Sequence, residues 1–509
     1  MLIGLASAGV VVWQNARLAI LWDLSYILEN ATRIAAGDVP YRDFPFPYAP
    51  LTFTVQAAII RLFGRAYWHH AAYAVVACGV ATALTYLIVR RFVPRATAVF
   101  LTLPLALLGV YCILPHPFYD PDACLAVLVL IFALRERRVA VAALCVVPLF
   151  VKQNIGLAFV AALVLLLIVE RRWRLLAGLA IGAATATILV AAIFGLHDYA
   201  TWTFAYAAAR RLPPLSMMLG VYADPIVWGG IAIVLLGLRF RWLLPLPWLW
   251  TLYRFFASDD PNEREINLLR AWPVLLVVAT IVAIAMWRKE TPLLRAIPLL
   301  AVATIHGAFL SQATWGSTYG IWPLLVILLA FVFRAAKAPP VIAAIVAAIT
   351  LLHAADYIAN ERRLTYAKWN EGSMHTSALP ALRGLRVRGE WLPDFEELVA
   401  WTDAHVPRGD GILFLPGEDL FYFATGRRPQ FPVVMLDPTV NPYSPAQIAA
   451  LAEQRHIRWV IVKRRLQVNG TPYRELGDTI HLLSARYRPV QFLRNYVVFR
   501  VPDSPRPHD

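Results

Sequence analysis

Long apolar runs constrain this chain more than any other feature, because they recur from the N-terminus to residue 356 and then stop. They hold about 15 to 22 residues, close to the ~20 that an α-helix needs to cross ~30 Å of hydrocarbon. Hydrophobic residues make up 59% of the 509 residues and charged residues only 16%, a composition typical of polytopic membrane proteins. The sequence therefore predicts an α-helical transmembrane domain over residues 1–360.

Clusters of Arg and Lys separate the apolar runs and predict their orientation. The positive-inside rule assigns these basic loops to the cytoplasm, with the N-terminus inside and the C-terminal region outside. The first run lacks a basic segment and a cleavage site, so we expect a retained helix rather than a signal peptide. About thirteen spans result. They are residues 1–20, 66–89, 97–114, 122–134, 139–151, 155–170, 175–195, 224–239, 242–258, 270–287, 294–310, 319–334 and 339–356.

The formal net charge of +15 does not predict nucleic-acid binding. The basic residues are distributed among the short loops between apolar runs, and they form no contiguous basic patch. The charge therefore reflects membrane topology.

The character of the sequence changes after residue 360. Residues 361–389 are polar and basic and contain glycine, which predicts a linker. Over residues 390–509, FEELVAWTDAH and SPAQIAALAEQRH predict amphipathic helices, and ILFLPG, WVIVKRR and YVVFRVP predict short buried strands. We expect a small α/β domain on the outer, periplasmic side of the membrane.

A segment rich in carboxylates and aromatic residues follows the first predicted span. Residues 21–64 contain Asp23, Asp38 and Asp43 and read as an amphipathic outer loop at the lipid–water boundary. A carboxylate at this boundary is suited to take a proton from an acceptor hydroxyl or amine that attacks a sugar carbon. A helix-capping role for Asp23 is the structural alternative.

The order of residues in this loop resembles the glycosyltransferase C superfamily, which includes bacterial aminoarabinose transferases, protein O-mannosyltransferases and oligosaccharyltransferases. The matching positions are Asp23, Tyr26, Ala31, Gly37, Asp38, Tyr48, Pro50 and Leu51. The resemblance implies a multi-pass enzyme of the bacterial cytoplasmic membrane. It would move a sugar, with inversion, from a polyprenyl-phosphate donor to a lipid, glycan or protein acceptor at the outer face.

The same resemblance implies that Asp23 is the catalytic base. An acidic residue usually follows that Asp, whereas Leu24 stands here, so Asp43 is the alternative base. Tyr26, Asp43 and Tyr48 are candidates for contact with the donor or acceptor.

The second outer loop, His116-Pro117-Phe118-Tyr119-Asp120-Pro121-Asp122, places two carboxylates near the predicted membrane face. Such a pair suits a hydrogen-bonded substrate or a hard divalent cation such as Mg²⁺ or Mn²⁺. The resemblance implies that acidic residues at this position lie at the active site, with or without a metal. His116, Asp120 and Asp122 are therefore candidate substrate ligands, and a simple turn capped by Asp122 is the alternative.

Three cations at the predicted outer face could bind a phosphate. Lys152 interrupts two apolar spans, and Arg210 and Arg211 lie in an outer loop rich in aromatic residues. For the two arginines, plain solvent exposure fits the pattern equally well.

Two other classes of protein would also have many membrane spans but would not need a catalytic base. A secondary transporter or lipid flippase predicts ionisable residues at mid-membrane depth, whereas the candidates here gather at the ends of spans. A non-catalytic assembly subunit is the third class, and a functional Asp23→Asn variant would favour it.

Overall fold

A computed structural model describes residues 1–17, 19–134, 138–288, 291–310, 320–359, 372–467 and 474–502. The chain divides into two compact units. The first, here the helical unit, comprises Met1–Gln14, Tyr73–Ala192 and Arg211–Arg363; the second, here the mixed unit, comprises Asn15–Ala72, Ile193–Arg210 and Leu364–Asp509. The predicted first outer loop and the predicted C-terminal domain thus belong to one compact unit. The predicted domain boundaries at residues 360 and 390 stay predictions.

Helices build the helical unit. Those lying wholly or mainly in it are Leu2–Asn15, Tyr67–Val89, Arg95–Thr102, Leu105–Leu108, Tyr119–Ala133, Val139–Leu144, Pro148–Val151, Gln153–Val169, Trp173–Phe194, Leu215–Leu219, Gly220–Tyr222, Pro225–Gly237, Arg241–Leu243, Leu246–Ala257, Pro261–Leu269, Ala271–Ala285, Pro292–Phe309, Trp322–Ala336 and Pro340–Ala359. Each predicted apolar span overlaps at least one of them. Two spans are divided near a proline, at Pro104 and Pro148, because proline has no amide hydrogen to continue a helix.

Four helices of the described chain are long and apolar enough to cross a membrane: Tyr67–Val89, Trp173–Phe194, Glu263–Ala285 and Pro340–Ala359. Glu263–Ala285 takes the two consecutive helices Pro261–Leu269 and Ala271–Ala285 together. The bent pair Leu215–Tyr222 and Pro225–Gly237 makes up to five if it counts as one span. The other apolar helices are shorter. The helix positions are therefore confirmed, while thirteen as the number of spans stays a prediction.

Polar contacts join the loops of the helical unit in two sets. In the first set, residues beside the basic clusters contact one another: Arg334 Nη1 donates to the Arg91 carbonyl at 3.3 Å, Arg91 Nη2 donates to the Phe132 carbonyl at 3.3 Å, and Arg295 pairs with Glu170.

The second set joins residues at the opposite ends of the predicted spans. Arg270 Nε lies 2.8 Å from Asp224 Oδ2, and Arg264 Nη1 lies 3.4 Å from Asp356 Oδ1. Ionic contacts of this kind tie neighbouring helix ends together.

The mixed unit combines short helices with two sheets. Its helices are Leu21–Ala35, Leu51–Phe63, Leu196–Ala200, Thr201–Tyr206, Ala207–Arg211, Pro380–Leu382, Trp391–His405, Phe421–Thr425, Pro445–Gln454 and Arg474–Ser484. Its strands are β1 Met374–Thr376, β2 Arg386–Arg388, β3 Gly411–Leu415, β4 Ile457–Lys463, β5 Arg488–Phe492 and β6 Tyr496–Arg500. The two amphipathic helices and three buried strands expected in this region are confirmed.

The larger sheet has the order β3-β4-β6-β5, with β3 and β4 parallel and the other pairs antiparallel. All five residues of β3 are buried, which explains why it reads as an unbroken apolar run rather than an alternating one. Strands β1 and β2 form a separate antiparallel pair within the predicted linker.

The Leu21–Ala35 helix, here the first-loop helix, is buried along most of its length, including five polar residues: Ser25, Glu29, Asn30, Thr32 and Arg33. Buried polar groups need hydrogen-bond partners to offset their lost hydration. Some of these partners lie within the helix, where Asn30 Nδ2 donates to the Tyr26 carbonyl at 2.8 Å; others lie in the segment that follows β3, where the Gly417 carbonyl accepts from Ser25 Oγ at 3.1 Å.

Candidate functional site

An ion pair between Lys152 and Asp120 lies in the interior of the helical unit. Both side chains are buried, and Lys152 Nζ also lies 4.8 Å from the centre of the Tyr119 ring. Asp120 stands in the first turn of Tyr119–Ala133, and Lys152 directly precedes the Gln153–Val169 helix. Two helix starts thus hold this pair in place.

Close packing fixes the helix that follows Lys152. Asn154 Nδ2 donates to the Gly307 carbonyl at 2.6 Å, and a Cβ on Gly307 would come within 2.7 Å of the Ala158 Cβ. Only a residue without a side chain allows this approach of the two helices. The position of Lys152 is therefore set by backbone packing as well as by its carboxylate.

Asp122 is also buried and accepts hydrogen bonds from two phenols. Tyr73 Oη donates to Asp122 Oδ1 at 2.7 Å, and Tyr111 Oη donates to the same oxygen. Phe118, rather than Asp122, is the N-cap residue of this helix, and it makes no side-chain cap bond. The capping role considered for Asp122 is therefore wrong.

His116 is fully buried next to these carboxylates in sequence. Its Nδ1 lies 3.3 Å from the Pro117 carbonyl, while its Nε2 has no hydrogen-bond partner among the described residues. Burial lowers the pKa of His116 to about 4, so the ring is neutral at pH 7.

The Asp120–Asp122 pair does not fit a divalent cation in this arrangement. Asp120 is already paired with the ammonium of Lys152, and Asp122 with two phenols. A metal would have to displace or repel a buried cation. Within the described part of the chain, no group of three His, Cys, Asp or Glu side chains is placed to hold a metal ion.

Asp23 stands in the first turn of the first-loop helix and is partly exposed. The N-cap residue of this helix is Ile20, without a side-chain cap bond, so the capping role considered for Asp23 is wrong. A carboxylate in the first turn is stabilised by the helix dipole as an anion.

The candidate tyrosines of the first loop lie in one aromatic cluster. The ring of Tyr26 lies 5.2 Å from that of Tyr48 and 5.8 Å from that of Phe53, and Phe46 packs on Phe53 at 4.6 Å. Tyr26 and Tyr48 are both buried. The structure therefore brings Tyr26 and Tyr48 together. Tyr26 lies three residues after Asp23 on the first-loop helix.

Asp43 is paired with its neighbour Arg42 through two hydrogen bonds of 2.9 Å, and its Oδ2 accepts from the Val39 amide at 2.7 Å. The bond to Arg42 holds the pKa of Asp43 below its usual value. A lower pKa makes Asp43 a weaker base than an ordinary carboxylate.

Arg210 belongs to the mixed unit, where its Nη1 donates to the Pro438 carbonyl at 3.1 Å and its guanidinium lies 5.3 Å from the Tyr206 ring centre. The side chain of Arg211 lies outside the described residues. Among the cations predicted to bind phosphate, only Lys152 is therefore described as buried and ion-paired.

Structure comparison finds two kinds of solved protein with a similar chain path. ArnT from Cupriavidus metallidurans, in a crystal structure bound to undecaprenyl phosphate, is 13% identical; the match covers 98% of this chain and 97% of ArnT with a TM-score of 0.47. The apo Archaeoglobus fulgidus oligosaccharyltransferase is 10% identical over 91% of this chain and 69% of its own, with a TM-score of 0.38. No protein-family model and no curated protein sequence matches the chain.

The superfamily resemblance indicated by the first loop stays a prediction. At identities of 10% to 13% and TM-scores of 0.47 and below, the two neighbours assign neither residues nor an activity to this chain.

Sequence reasoning missed a buried polar network in the mixed unit. Lys463, the last residue of β4, pairs with Glu418 and, at 2.7 Å, with Asp419. Burial lowers the pKa of Lys463, but these two carboxylates outweigh it and raise the value overall. The sequence does carry a signal for it, because charged residues stand at the end of one buried strand and shortly after another, in WVIVK and ILFLPGED.

Glu29 is a second missed residue. Its carboxylate accepts hydrogen bonds from the amides of Tyr422, at 3.0 Å, and Phe423, at 3.2 Å. Burial raises the pKa of Glu29 well above its usual value, and the two amide bonds oppose that shift only in part.

Proposed function

We propose that this protein is an integral-membrane glycosyltransferase that moves a sugar from a polyprenyl-phosphate donor to an acceptor at the outer face of the cytoplasmic membrane. One observation carries the proposal: Asp23, Asp120 and Lys152 all lie in or beside the first turn of a helix. Charged groups at helix starts suit chemistry at a membrane surface. A transport pathway would instead need ionisable residues at mid-span.

The loop contacts of the helical unit support the topology of this proposal. Arg91 with Arg334, and Glu170 with Arg295, join loops that the positive-inside rule assigns to the cytoplasm. Asp120 and Lys152 belong to loops assigned to the outer face, and they also contact each other. An alternating arrangement of about thirteen spans accounts for both sets. The C-terminal region would then lie outside the cytoplasm.

In the proposed reaction, an acceptor hydroxyl or amine attacks the anomeric carbon of the donor from the side opposite the lipid phosphate. The new bond forms as the bond from the anomeric carbon to the phosphate oxygen breaks, which inverts that carbon. Its electron pair leaves with the lipid phosphate, and the acceptor proton passes to Asp23. We assign the step to Asp23 rather than Asp43, because the bond to Arg42 lowers the pKa of Asp43 and weakens it as a base.

The leaving phosphate gains negative charge in the transition state, so a fixed cation would accelerate its departure. We assign this role to Lys152, assisted by Arg210 and Arg211. Asp120 would hold the Lys152 ammonium in one orientation, since the two form a buried ion pair. Tyr26, Tyr48, His116 and Asp122 would shape the donor and acceptor sites.

The test is transfer of radiolabelled sugar from a panel of polyprenyl-phosphate donors to native membranes, with release of lipid phosphate as a second readout. Wild-type protein should catalyse release. Asp23→Asn should lower the rate about 10²- to 10⁴-fold, the usual contribution of a general base. Asp43→Asn is the matched control and should retain most activity.

Each other outcome has a distinct meaning. Loss of activity in Asp43→Asn alone would move the base to Asp43. Full activity in Asp23→Asn would contradict base catalysis by this loop. No release with any donor, together with movement of lipid or solute across proteoliposomes, would favour a transporter or flippase.

A further inference from the structure

Gln467 holds the backbone at the start of the first-loop helix with both ends of its side-chain amide. Its Nε2 donates to the Ala19 carbonyl at 3.0 Å, and its Oε1 accepts from the Leu21 amide at 2.8 Å. The Gln467 side chain is buried. These two bonds lie on either side of Ile20 and end two residues before Asp23.

A buried carboxylate holds Gln467 itself. The backbone amide of Gln467 donates to both carboxylate oxygens of Glu418, at 2.8 and 3.0 Å. Glu418 in turn forms an ion pair with Lys463. The sheet anchors Lys463 because it ends β4 and pairs there with Tyr496 of β6. An unbroken series of polar contacts thus runs from the sheet to the residues that precede Asp23.

Only a few side chains can do what Gln467 does. An amide offers one acceptor and two donors, so it satisfies a backbone carbonyl and a backbone amide together. Without it, both buried backbone groups would lose their partner, which costs free energy for each. The arrangement fixes this backbone in the way a neighbouring strand would.

We propose that Gln467, supported by Glu418 and Lys463, is a positioning residue for Asp23. This inference rests on the proposed function, in which Asp23 is the base. A base acts only when its oxygen lies within hydrogen-bond reach of the acceptor proton, and a displacement near 1 Å can cost about 100-fold in rate. The α/β sheet therefore contributes to catalysis by holding the helix that carries Asp23.

The experiment compares wild-type protein with Gln467→Ala in full-length chains. We expect kcat for sugar transfer to fall about 10- to 100-fold while KM for the lipid donor stays unchanged, because misplacing the base affects the chemical step. Amide hydrogen exchange over residues 19–28 should become faster. Gln430→Ala is the matched control: Gln430 also donates to a backbone carbonyl, that of Gly409, which is not part of the first-loop helix.

A double-mutant cycle with Asp23→Glu separates positioning from general damage. The longer Glu side chain can reach over part of the displacement, so Gln467→Ala should cost less in that background than in wild type. Equal losses in the two backgrounds would overturn the proposal. So would unchanged kcat in Gln467→Ala despite faster exchange.

Ser25→Ala provides a milder variant if Gln467→Ala fails to accumulate. It removes the 3.1 Å bond from this helix to the Gly417 carbonyl, together with the 3.2 Å bond of Ser25 Oγ to the Trp22 carbonyl within the helix. It should lower kcat less than Gln467→Ala, again with KM unchanged, and wild-type kcat with faster exchange would count against the proposal. Inactivity of the wild type itself would refute the proposed function, while the exchange data would still report whether Gln467 holds the helix.

Discussion

Replacing Lys463 by methionine should destabilise the mixed unit strongly. The Lys463 side chain is 1% exposed, and the side chains of Glu418 and Asp419 are fully buried. Methionine fills most of the same volume, so the loss is one of charge rather than of packing. Removing one member of a buried ion pair costs about 3 to 5 kcal/mol, because the remaining charge stays buried without compensation.

Other groups around Asp419 should offset part of this loss in the free energy of unfolding. Trp391 Nε1 donates to Asp419 at 2.6 Å and Tyr496 Oη donates to it at 3.0 Å. Burial already raises the pKa of Asp419, so loss of Lys463 should favour its protonated form. We therefore expect the lower part of the range, about 3 kcal/mol.

The assay is thermal unfolding of the full-length protein in detergent, followed by tryptophan fluorescence. For a folding unit of about 150 to 250 residues, each kcal/mol shifts Tm by about 2 to 4 °C, so Lys463→Met should lower Tm by about 6 to 12 °C. Lys337→Met, at an exposed lysine, is the control and should leave Tm unchanged. The double variant Lys463→Met/Glu418→Gln should recover part of the loss. A Tm for Lys463→Met equal to that of wild type would refute the reasoning.

Three further results are expected. Gly417→Ala should cost about 1 to 3 kcal/mol in thermal unfolding, because Gly417 has a φ of +93° and a Cβ there would collide with the Val434 carbonyl; Gly409→Ala, with open space around it, should be neutral. Lys152→Met should slow lipid phosphate release in the transfer assay more than Lys152→Arg, which keeps the charge beside Asp120. The raised pKa of Lys463 stabilises the fold below its ordinary value of 10.5, and this contribution is lost as pH rises through the higher folded-state pKa. The Tm difference between wild type and Lys463→Met should therefore be constant near neutral pH and narrow in strong alkali.

The sequence predicts the helices of the membrane domain well because a span must be apolar over its whole length. The predicted helix boundaries were wrong where a proline interrupts an apolar run, as at Pro104 and Pro148. Strand β5 was missed because most of its residues are exposed and carry no alternating apolar pattern. The buried strands β3 and β4 were found because burial on both faces makes them continuously apolar.

The candidate site was predictable only in part. Asp120 and Lys152 were each recognisable as charges between apolar runs, but their pairing depends on helix packing across 32 residues. Glu29 reads as an ordinary polar residue of an amphipathic helix, since nothing local shows that Tyr422 and Phe423 would cover it. Contacts between segments that are distant in sequence leave no pattern in the residues nearby. The Asp120–Lys152 pair and the hydrogen bonds of Glu29 both depend on such contacts.

The hydrogen bonds between Gln467 and the start of the first-loop helix also bear on how the protein is made. They join residues 446 and 448 positions apart. At ~5 to 20 residues per second, a ribosome needs roughly 20 to 90 s between synthesising the two partners. During most of that interval Glu29 and Ser25 also lack Tyr422 and Gly417, the distant residues that they bind in the finished protein. A nascent chain thus carries Asp23 on an unanchored helix until the segment around Gln467 has been synthesised and has folded, so any role of Asp23 that depends on this anchor begins only after that step.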